Sequence, residues 1–240
     1  MSAKLKIVIP IYDGVTQLDF TGPVQFLVRI PDSEVVVASL GGAPITADGL
    51  TFSNLADLRA IEQADVLCVP GGACQMAMED EEFVGAVRRI GLSASYITSV
   101  CNGSLILGAA GLLVGKRAAC HWSWREMLPL FGAIPEDARV VRDGNIITGG
   151  GVTAGIDFAL SLIAELRGDV VAQSIQLNLE YAPEPAFQAG RPDLAPPDIY
   201  AAVAAQRAPM MAANLIRVQK VADRVRARLG LPEPSEADVG

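Results

Sequence analysis

Two hydrophobic patterns alternate along the 240-residue chain and predict strands and helices in turn. Short aliphatic runs rich in valine and isoleucine are typical of buried strands. These runs occupy 4–11, 34–39, 65–69 and 96–100. Asp-Gly pairs predict two hairpins, one within 45–53 and one joining 139–142 to 145–148. Segments whose pattern predicts helices cover 17–29, 81–90, 102–110, 122–131, 152–166, 169–179 and 200–229.

This alternation predicts an α/β fold, with a doubly wound, mostly parallel sheet and helices on both of its faces. The sequence contains no internal repeat and no linker that would divide it. We therefore expect residues 1–240 to form a single domain, in which about 200–240 is a C-terminal helical extension. The tail from residue 232 is expected to fray.

Composition excludes several classes of function. The net charge is −8 and no basic cluster is present, so neither nucleic acid nor an anionic membrane is an expected partner. No apolar run approaches the roughly 20 residues of a membrane span, and the N-terminal pattern is not that of a signal peptide. Four cysteines without CxxC spacing indicate reduced thiols in a cytoplasmic protein. With one histidine and no ligand spacing, we expect no metal site.

Cys101 lies where a predicted strand gives way to a predicted helix, within ITSVCNGSLILGAAGLL. A residue at such an elbow has a strained backbone and needs small neighbours, and Ser99 and Gly103 lie two positions to either side. The following helix directs unpaired N–H groups and the positive end of its dipole at the sulfur. Both favour a thiolate, so Cys101 is a predicted nucleophile with a lowered pKa. The alternative is a small buried core residue.

The other thiols and the only histidine are weaker candidates. Cys68 lies inside an apolar run and is predicted to be a core residue. Cys74 follows a Gly-Gly loop that belongs to the expected site, whereas Cys120 is predicted to serve in packing. His121 precedes a tryptophan, and such a histidine is more often structural than catalytic.

Three further features follow strands at the same edge of the predicted sheet, where sites form in such folds. Asp19 either caps a helix that begins near Thr21 or acts as a catalytic carboxyl whose pKa is raised by apolar neighbours. Gly72 either lets a main-chain N–H approach a ligand or simply ends a strand. The glycines at 149–151 either allow close helix packing or direct the N–H of Val152 at the sulfur.

From about residue 5 to about residue 190 the chain resembles the ThiJ/PfpI superfamily, and within it most closely the isocyanide hydratases. The motifs that carry this resemblance occur in the same order: IPIYDGVTQLDFTGP, VPGG, SVCNGS with GAAGLL, His121-Trp122 and GGGVTAGID. The resemblance implies a flavodoxin-like fold and a homodimer. It also implies that Cys101 is the nucleophile, with Asp19 as the nearby carboxylate. Members often hold a histidine some twenty residues past the nucleophile, so His121 is a possible hydrogen-bonding residue near the pocket.

The residue after the cysteine departs from two patterns of the superfamily. PfpI-type peptidases have a histidine there, so Asn102 argues against peptidase activity. An isocyanide hydratase is expected to have a threonine, so Asn102 leaves the handling of water and the fit of the substrate open.

The implied reaction is hydration of a small-molecule isocyanide. The Cys101 thiolate attacks the terminal carbon to give a thioimidate, Asp19 supplies a proton and then activates water, and an N-substituted formamide leaves. This chemistry requires no metal and no organic cofactor. Two alternatives stay open: another cysteine enzyme of the superfamily, such as a glyoxalase, and a redox or ligand sensor.

Overall fold

The aliphatic runs of the sequence form the strands of a central sheet in the computed structural model of the protein, which describes residues 4–232. The strands are β1 (Leu5–Pro10), β2 (Ser33–Ser39), β3 (Ile45–Ala47), β4 (Leu50–Phe52), β5 (Ala56–Asp57), β6 (Val66–Val69), β7 (Tyr96–Val100), β8 (Arg117–Ala118), β9 (Ile134–Pro135), β10 (Val140–Asp143) and β11 (Ile146–Gly149). The helices are α1 (Gln17–Leu27), α2 (Cys74–Glu79), α3 (Glu81–Ser93), α4 (Gly103–Ala109), α5 (Ala154–Arg167), α6 (Asp169–Asn178) and α7 (Pro197–Leu229).

Seven strands form the central sheet in the order β10-β11-β7-β6-β1-β2-β5. Every neighbouring pair is parallel except β10 and β11, which form an antiparallel hairpin at one edge. Strand β7 lies between β6 and β11, with Ser99 opposite Val69 and Val100 opposite Gly149. The carboxyl ends of these three strands therefore meet, and the segments that follow them share one edge of the sheet.

The helices form two groups around the sheet, as the alternating pattern predicts. Helices α1, α5 and α6 pack on one another, while α2, α3, α4 and α7 form the second group. The core between them is aliphatic, and Ile7, Val8 and Ile9 of β1 are fully buried. The apolar residues of helix α7 that are buried in this core lie in its second half and are Val218, Val221, Ala222 and Val225. No helix within residues 4–232 is long and apolar enough to cross a membrane.

Several local expectations are confirmed, and others are wrong. The two Asp-Gly hairpins form as β3–β4 and β10–β11. The expected helix at 122–131 is wrong: Arg125–Phe131 is a 3₁₀ helix with Pro129 inside it. Proline has no N–H to donate and its ring clashes with the preceding turn, which disfavours an α-helix there. Helix α2 was not predicted, and the expected fraying beyond residue 232 lies outside the described residues.

Candidate functional site

Cys101 occupies a strained turn between β7 and α4. Its φ is +62°, a left-handed conformation that is uncommon for a residue with a side chain. The turn is held by the N–H of Cys101, which donates to the carbonyl oxygens of Gly149 (3.1 Å) and Gly150 (2.8 Å). Gly103 is required because a Cβ there would overlap the carbonyl oxygen of Val69. The sequence prediction of a strand-to-helix elbow with small neighbours agrees with this geometry.

Asp19 lies beside the Cys101 thiol and is fully buried. It belongs to the first turn of α1, which begins at Gln17 rather than near Thr21, so the interpretation of Asp19 as the cap of that helix is wrong. One carboxyl oxygen, Oδ2, accepts the N–H of Gly71 at 2.9 Å. The Cys101 side chain is close enough to the carboxyl group to lower its pKa. The other oxygen, Oδ1, is buried and has no hydrogen-bond partner among the described residues.

Burial changes the acidity of both groups. It raises the pKa of Asp19 from its ordinary value of 3.8 to about 7, although the N–H of Gly71 and the Cys101 side chain act in the opposite direction. Burial also raises the pKa of the Cys101 thiol, and the charge of Asp19 raises it further. The expected lowering of this pKa is therefore wrong in direction, since removal from water outweighs the helix N-terminus.

Main-chain N–H groups of Val152 and Asn102 are directed at the sulfur and lower the pKa of Cys101, against the larger effect of burial. Val152 lies just before α5, in the turn that follows the three glycines. The expectation that this turn supplies a donor to the sulfur agrees with the structure. Close packing, the alternative for the glycines, also applies, since a Cβ on Gly151 would lie 2.8 Å from the His121 ring.

The Pro-Gly-Gly loop is bonded to the protein's own side chains. The N–H of Gly72 donates to Asn102 Oδ1 at 2.7 Å, and Asn102 Nδ2 donates to the Gly72 carbonyl at 3.0 Å. The N–H of Gly71 is used by Asp19. Both amides that were expected to approach a ligand are therefore bonded to the protein in this structure. The loop instead aligns Asp19 with the elbow, and Asn102 is the side chain that joins loop and elbow.

His121 lies at the other side of the site, against Gly151, and is partly buried. Its Nδ1 accepts the main-chain N–H of Ser123 at 3.2 Å and lies 3.0 Å from the Ser123 hydroxyl. Burial lowers the pKa of this histidine to about 4, so the ring is neutral near pH 7. His121, Gly151 and Val152 line a cavity of about 220 Å³.

Three further buried groups, those of Tyr12, Cys74 and Cys120, interact electrostatically with Cys101. Tyr12 is buried, donates to the carbonyl of Pro70 at 3.3 Å, and has its pKa raised by burial and by the nearby Cys74, Asp19 and Cys101. Tyr12 was not predicted as a site residue, although its place just after β1 was a usable signal. Cys74 and Cys120 are buried thiols with raised pKa values.

Within residues 4–232, no group of three or more histidine, cysteine, aspartate or glutamate side chains is arranged to bind a metal ion. The polar groups that interact with Cys101 are the Asp19 carboxyl and the main-chain amides of Val152 and Asn102, with the Tyr12 phenol close enough for its pKa to be affected by Cys101. Such a set can move a proton and stabilise charge on sulfur.

Residues 5–165 match the DJ-1/PfpI family. A curated relative, the isonitrile hydratase of Pseudomonas putida, is 46% identical over 95% of this chain and 99% of its own. A ThiJ/PfpI family protein of Pseudomonas syringae has a similar structure, with a TM-score of 0.86 and 40% identity over 91% of this chain and 90% of that one. Drosophila melanogaster DJ-1beta shares the fold at 24% identity, with a TM-score of 0.68 over 75% of this chain and all of that one. The chain therefore belongs to the DJ-1/PfpI family.

Proposed function

We propose that the protein is an isocyanide hydratase, in which Cys101 is the nucleophile and Asp19 transfers the protons. The observation that carries this proposal is the placement of a fully buried carboxyl, whose pKa is raised to about 7, beside a thiol at a strained elbow. The relation to an isonitrile hydratase over nearly the full length of both chains supports the same reaction.

The first half of the reaction moves one proton from sulfur to carbon. At neutral pH a large share of Asp19 is a carboxylate, because its pKa is about 7. It takes the thiol proton as the sulfur bonds to the terminal carbon of the isocyanide, and then passes that proton to the same carbon. The product is a thioimidate, Cys–S–CH=N–R. The N–H groups of Val152 and Asn102 stabilise the negative charge that the sulfur carries during attack.

Water completes the reaction. Asp19, again a carboxylate, takes a proton from water as the oxygen attacks the thioimidate carbon. The nitrogen receives one proton, the C–S bond breaks, and the sulfur leaves with its electron pair. The remaining proton returns to the pair formed by Cys101 and Asp19, so R–NH–CHO is released and the site is restored. No oxidant or reductant is needed, because the overall reaction adds one water molecule to the isocyanide to give the formamide.

Product analysis tests this proposal directly. The purified protein is incubated with an aryl isocyanide and, separately, with methylglyoxal, the substrate expected for a glyoxalase-type relative. We expect the N-aryl formamide from the first and no lactate from the second. Rapid quenching followed by peptide mass spectrometry is expected to find the isocyanide mass added to Cys101. Lactate formation without formamide would instead favour the glyoxalase reaction.

We further propose that the protein is a cytoplasmic homodimer built from single-domain chains with α7 as an extension. The family resemblance implies the dimer, and the strongly exposed side chains of Val170 (79%) and Leu177 (81%) on α6 are suited to an interface. The four cysteines are separate thiols, as in reducing compartments. Sedimentation equilibrium of the full chain tests the dimer, and a monomer at micromolar concentration would contradict it.

A further inference from the structure

The C-terminal helix reaches the site through a chain of three side chains. Arg207 of α7 donates from Nη2 to the hydroxyl oxygen of Ser123 at 3.1 Å. The Ser123 hydroxyl lies 3.0 Å from Nδ1 of His121, and the Ser123 main-chain N–H donates to the same nitrogen. Arg207 and His121 are thus connected through a single serine, although 86 positions separate them in the sequence.

These contacts determine where the protons lie in the hydrogen bonds that join Arg207, Ser123 and His121. Nδ1 accepts the main-chain N–H of Ser123, so it does not carry the ring proton. The Ser123 oxygen accepts from the guanidinium, so its own hydrogen is free to point at Nδ1. The ring proton of the neutral imidazole is then on Nε2. Within residues 4–232, no protein acceptor takes that proton.

Nε2 is positioned beside the site. It would lie 3.6 Å from a Cβ built on Gly151, and the next residue, Val152, directs its N–H at the Cys101 sulfur. His121 and Val152 also line the same cavity of about 220 Å³. The unused N–H of the histidine therefore belongs to a side chain that lines this cavity, one residue away from the Val152 N–H that is directed at the sulfur.

Arg207 is suited to hold this arrangement. Its guanidinium lies 5.9 Å from the centre of the Trp122 ring, within the range of a cation–π contact. Tyr200 lies about two turns before Arg207 on α7, and the centre of its ring is 5.8 Å from the centre of the Trp122 ring. In the part of the chain that the structure describes, the Ser123 hydroxyl is the one hydrogen-bond acceptor of Arg207. Its positive charge also opposes protonation of His121.

We propose that Arg207 and Ser123 are positioning residues that lock His121 as the Nε2–H tautomer, and that this N–H donates to the forming formamide group. The second part rests on the proposed function. A donor at this place stabilises the oxygen that replaces sulfur on the carbon. The C-terminal helix thereby takes part in the reaction although it lies far from Cys101 along the sequence.

Nitrogen NMR tests the lock without any turnover. His121 is the only histidine, so ¹⁵N-histidine labelling gives the spectrum of a single imidazole. We expect the proton on Nε2 in the wild type, and a shift of the Nε2 resonance when an N-aryl formamide is added. Arg207→Gln and Ser123→Ala are expected to increase the Nδ1–H tautomer. A wild-type proton on Nδ1 would overturn the lock, and an Nε2 resonance insensitive to formamide would overturn the donation.

Kinetics test the role in the reaction. We expect Arg207→Gln and Ser123→Ala to lower kcat about 3- to 10-fold, the effect of one hydrogen bond, with a smaller change in KM. Ser123→Thr keeps the hydroxyl and is expected to restore both kcat and the tautomer. Arg224→Gln is the matched control, because Arg224 is on the same helix but pairs with Glu81.

The outcomes separate the two proposals. Equal kcat losses in Arg207→Gln and Arg224→Gln, or no rescue by Ser123→Thr, would show a general effect on α7 and overturn the positioning role. A wild-type protein that hydrates no isocyanide would refute the proposed function. In that case the tautomer spectra of the wild type and the two variants would still decide the lock by themselves.

Discussion

Cys68 and Cys101 lie at neighbouring parallel strands and are almost equally buried, yet their surroundings differ. Cys68 lies within β6, is 0% exposed, and has a pKa raised to about 12 by burial. Cys101 is 5% exposed and its pKa is also raised by burial. Of these two thiols, however, the Cys101 sulfur is the one beside the Asp19 carboxyl, with the amides of Val152 and Asn102 directed at it. Burial alone makes a thiol inert, whereas burial beside a proton acceptor makes a usable nucleophile.

The largest difference is expected when each thiol is removed. Cys101→Ala removes the atom that bonds to the substrate, so hydration is expected to fall by about 10⁴-fold or more. Cys68→Ala is the matched control, with activity expected within about 2-fold of the wild type because its thiol touches no reacting atom. Formamide production at saturating isocyanide measures both. Substantial activity in Cys101→Ala would remove the basis of the comparison.

The second difference is the carboxyl that only Cys101 possesses. Asp19→Asn is expected to lower kcat/KM by about 10²- to 10⁴-fold, the range for a lost general acid or base. In the wild type, attack of the sulfur on the isocyanide requires Cys101 and Asp19 to hold one proton between them. Since the pKa of Asp19 is about 7, the pair binds a second proton below that pH. We therefore expect kcat/KM to fall as the pH decreases through about 7. A flat profile between pH 5.5 and 8.5, values chosen to bracket the pKa by roughly 1.5 units, would contradict this assignment.

The elbow of Cys101 and the core position of Cys68 were both predictable from local sequence. The β-branched run of β7 and the glycine at 103 predict a strand that turns sharply, and the apolar neighbours of Cys68 predict a buried strand. The strand alternation also predicts which loops share an edge of the sheet, because parallel strands end together. These features depend on residues close in sequence or on general topology.

The direction of the Cys101 pKa shift and the partners of the glycine loop were not predictable in this way. Both depend on contacts between distant segments: Asp19 bonds to Gly71 52 positions away, and Asn102 bonds to Gly72 30 positions away. A sequence pattern shows that an amide or a thiol is present, but not whether its partner is water or protein. The same reason hides the contact between Arg207 and Ser123, 84 positions apart.

The carboxyl is also expected to lower stability in exchange for activity. Asp19 binds its proton more tightly in the folded state than in the unfolded state, because its pKa is raised from 3.8 to about 7. Below about pH 4 the Asp19 carboxyl therefore does not lower the free energy of unfolding. As the pH rises from about 4 to 7, it lowers the free energy of unfolding increasingly. Above pH 7, Asp19→Asn is expected to stabilise the protein by up to about 4 kcal/mol.

Urea unfolding at pH 8 and at pH 5 measures this effect. The stabilisation by Asp19→Asn is expected to be larger at pH 8, where the wild-type carboxyl is ionised while buried. Glu180→Gln, an exposed carboxyl on the surface, serves as the control and is expected to change stability by about 0.5 kcal/mol or less. Equal stabilisation at both pH values would point to packing rather than charge.

A smaller effect is expected from replacing Asn102, the side chain that joins the Pro-Gly-Gly loop to the elbow at Cys101. Asn102→Ala leaves the N–H and carbonyl of Gly72 without their partner, which costs about 1–3 kcal/mol of unfolding free energy. Because the same loop holds Asp19 through Gly71, kcat is expected to fall about 10-fold. Asn178→Ala, an exposed position at the end of α6, is the control. Unchanged kcat in Asn102→Ala would show that the loop keeps its place without this pair.

The smallest effect is expected at Cys68 and concerns stability alone. Replacing its buried thiol by the methyl of alanine leaves a small void in β6, which costs about 1–2 kcal/mol. For a chain of this size that lowers Tm by about 2–8 °C, while the pH profile of kcat/KM is expected to keep its midpoint near 7. Thermal unfolding and a pH series measure the two independently. A shifted midpoint would mean that Cys68 is coupled to the Cys101–Asp19 pair, and burial would then no longer separate the inert thiol from the reactive one.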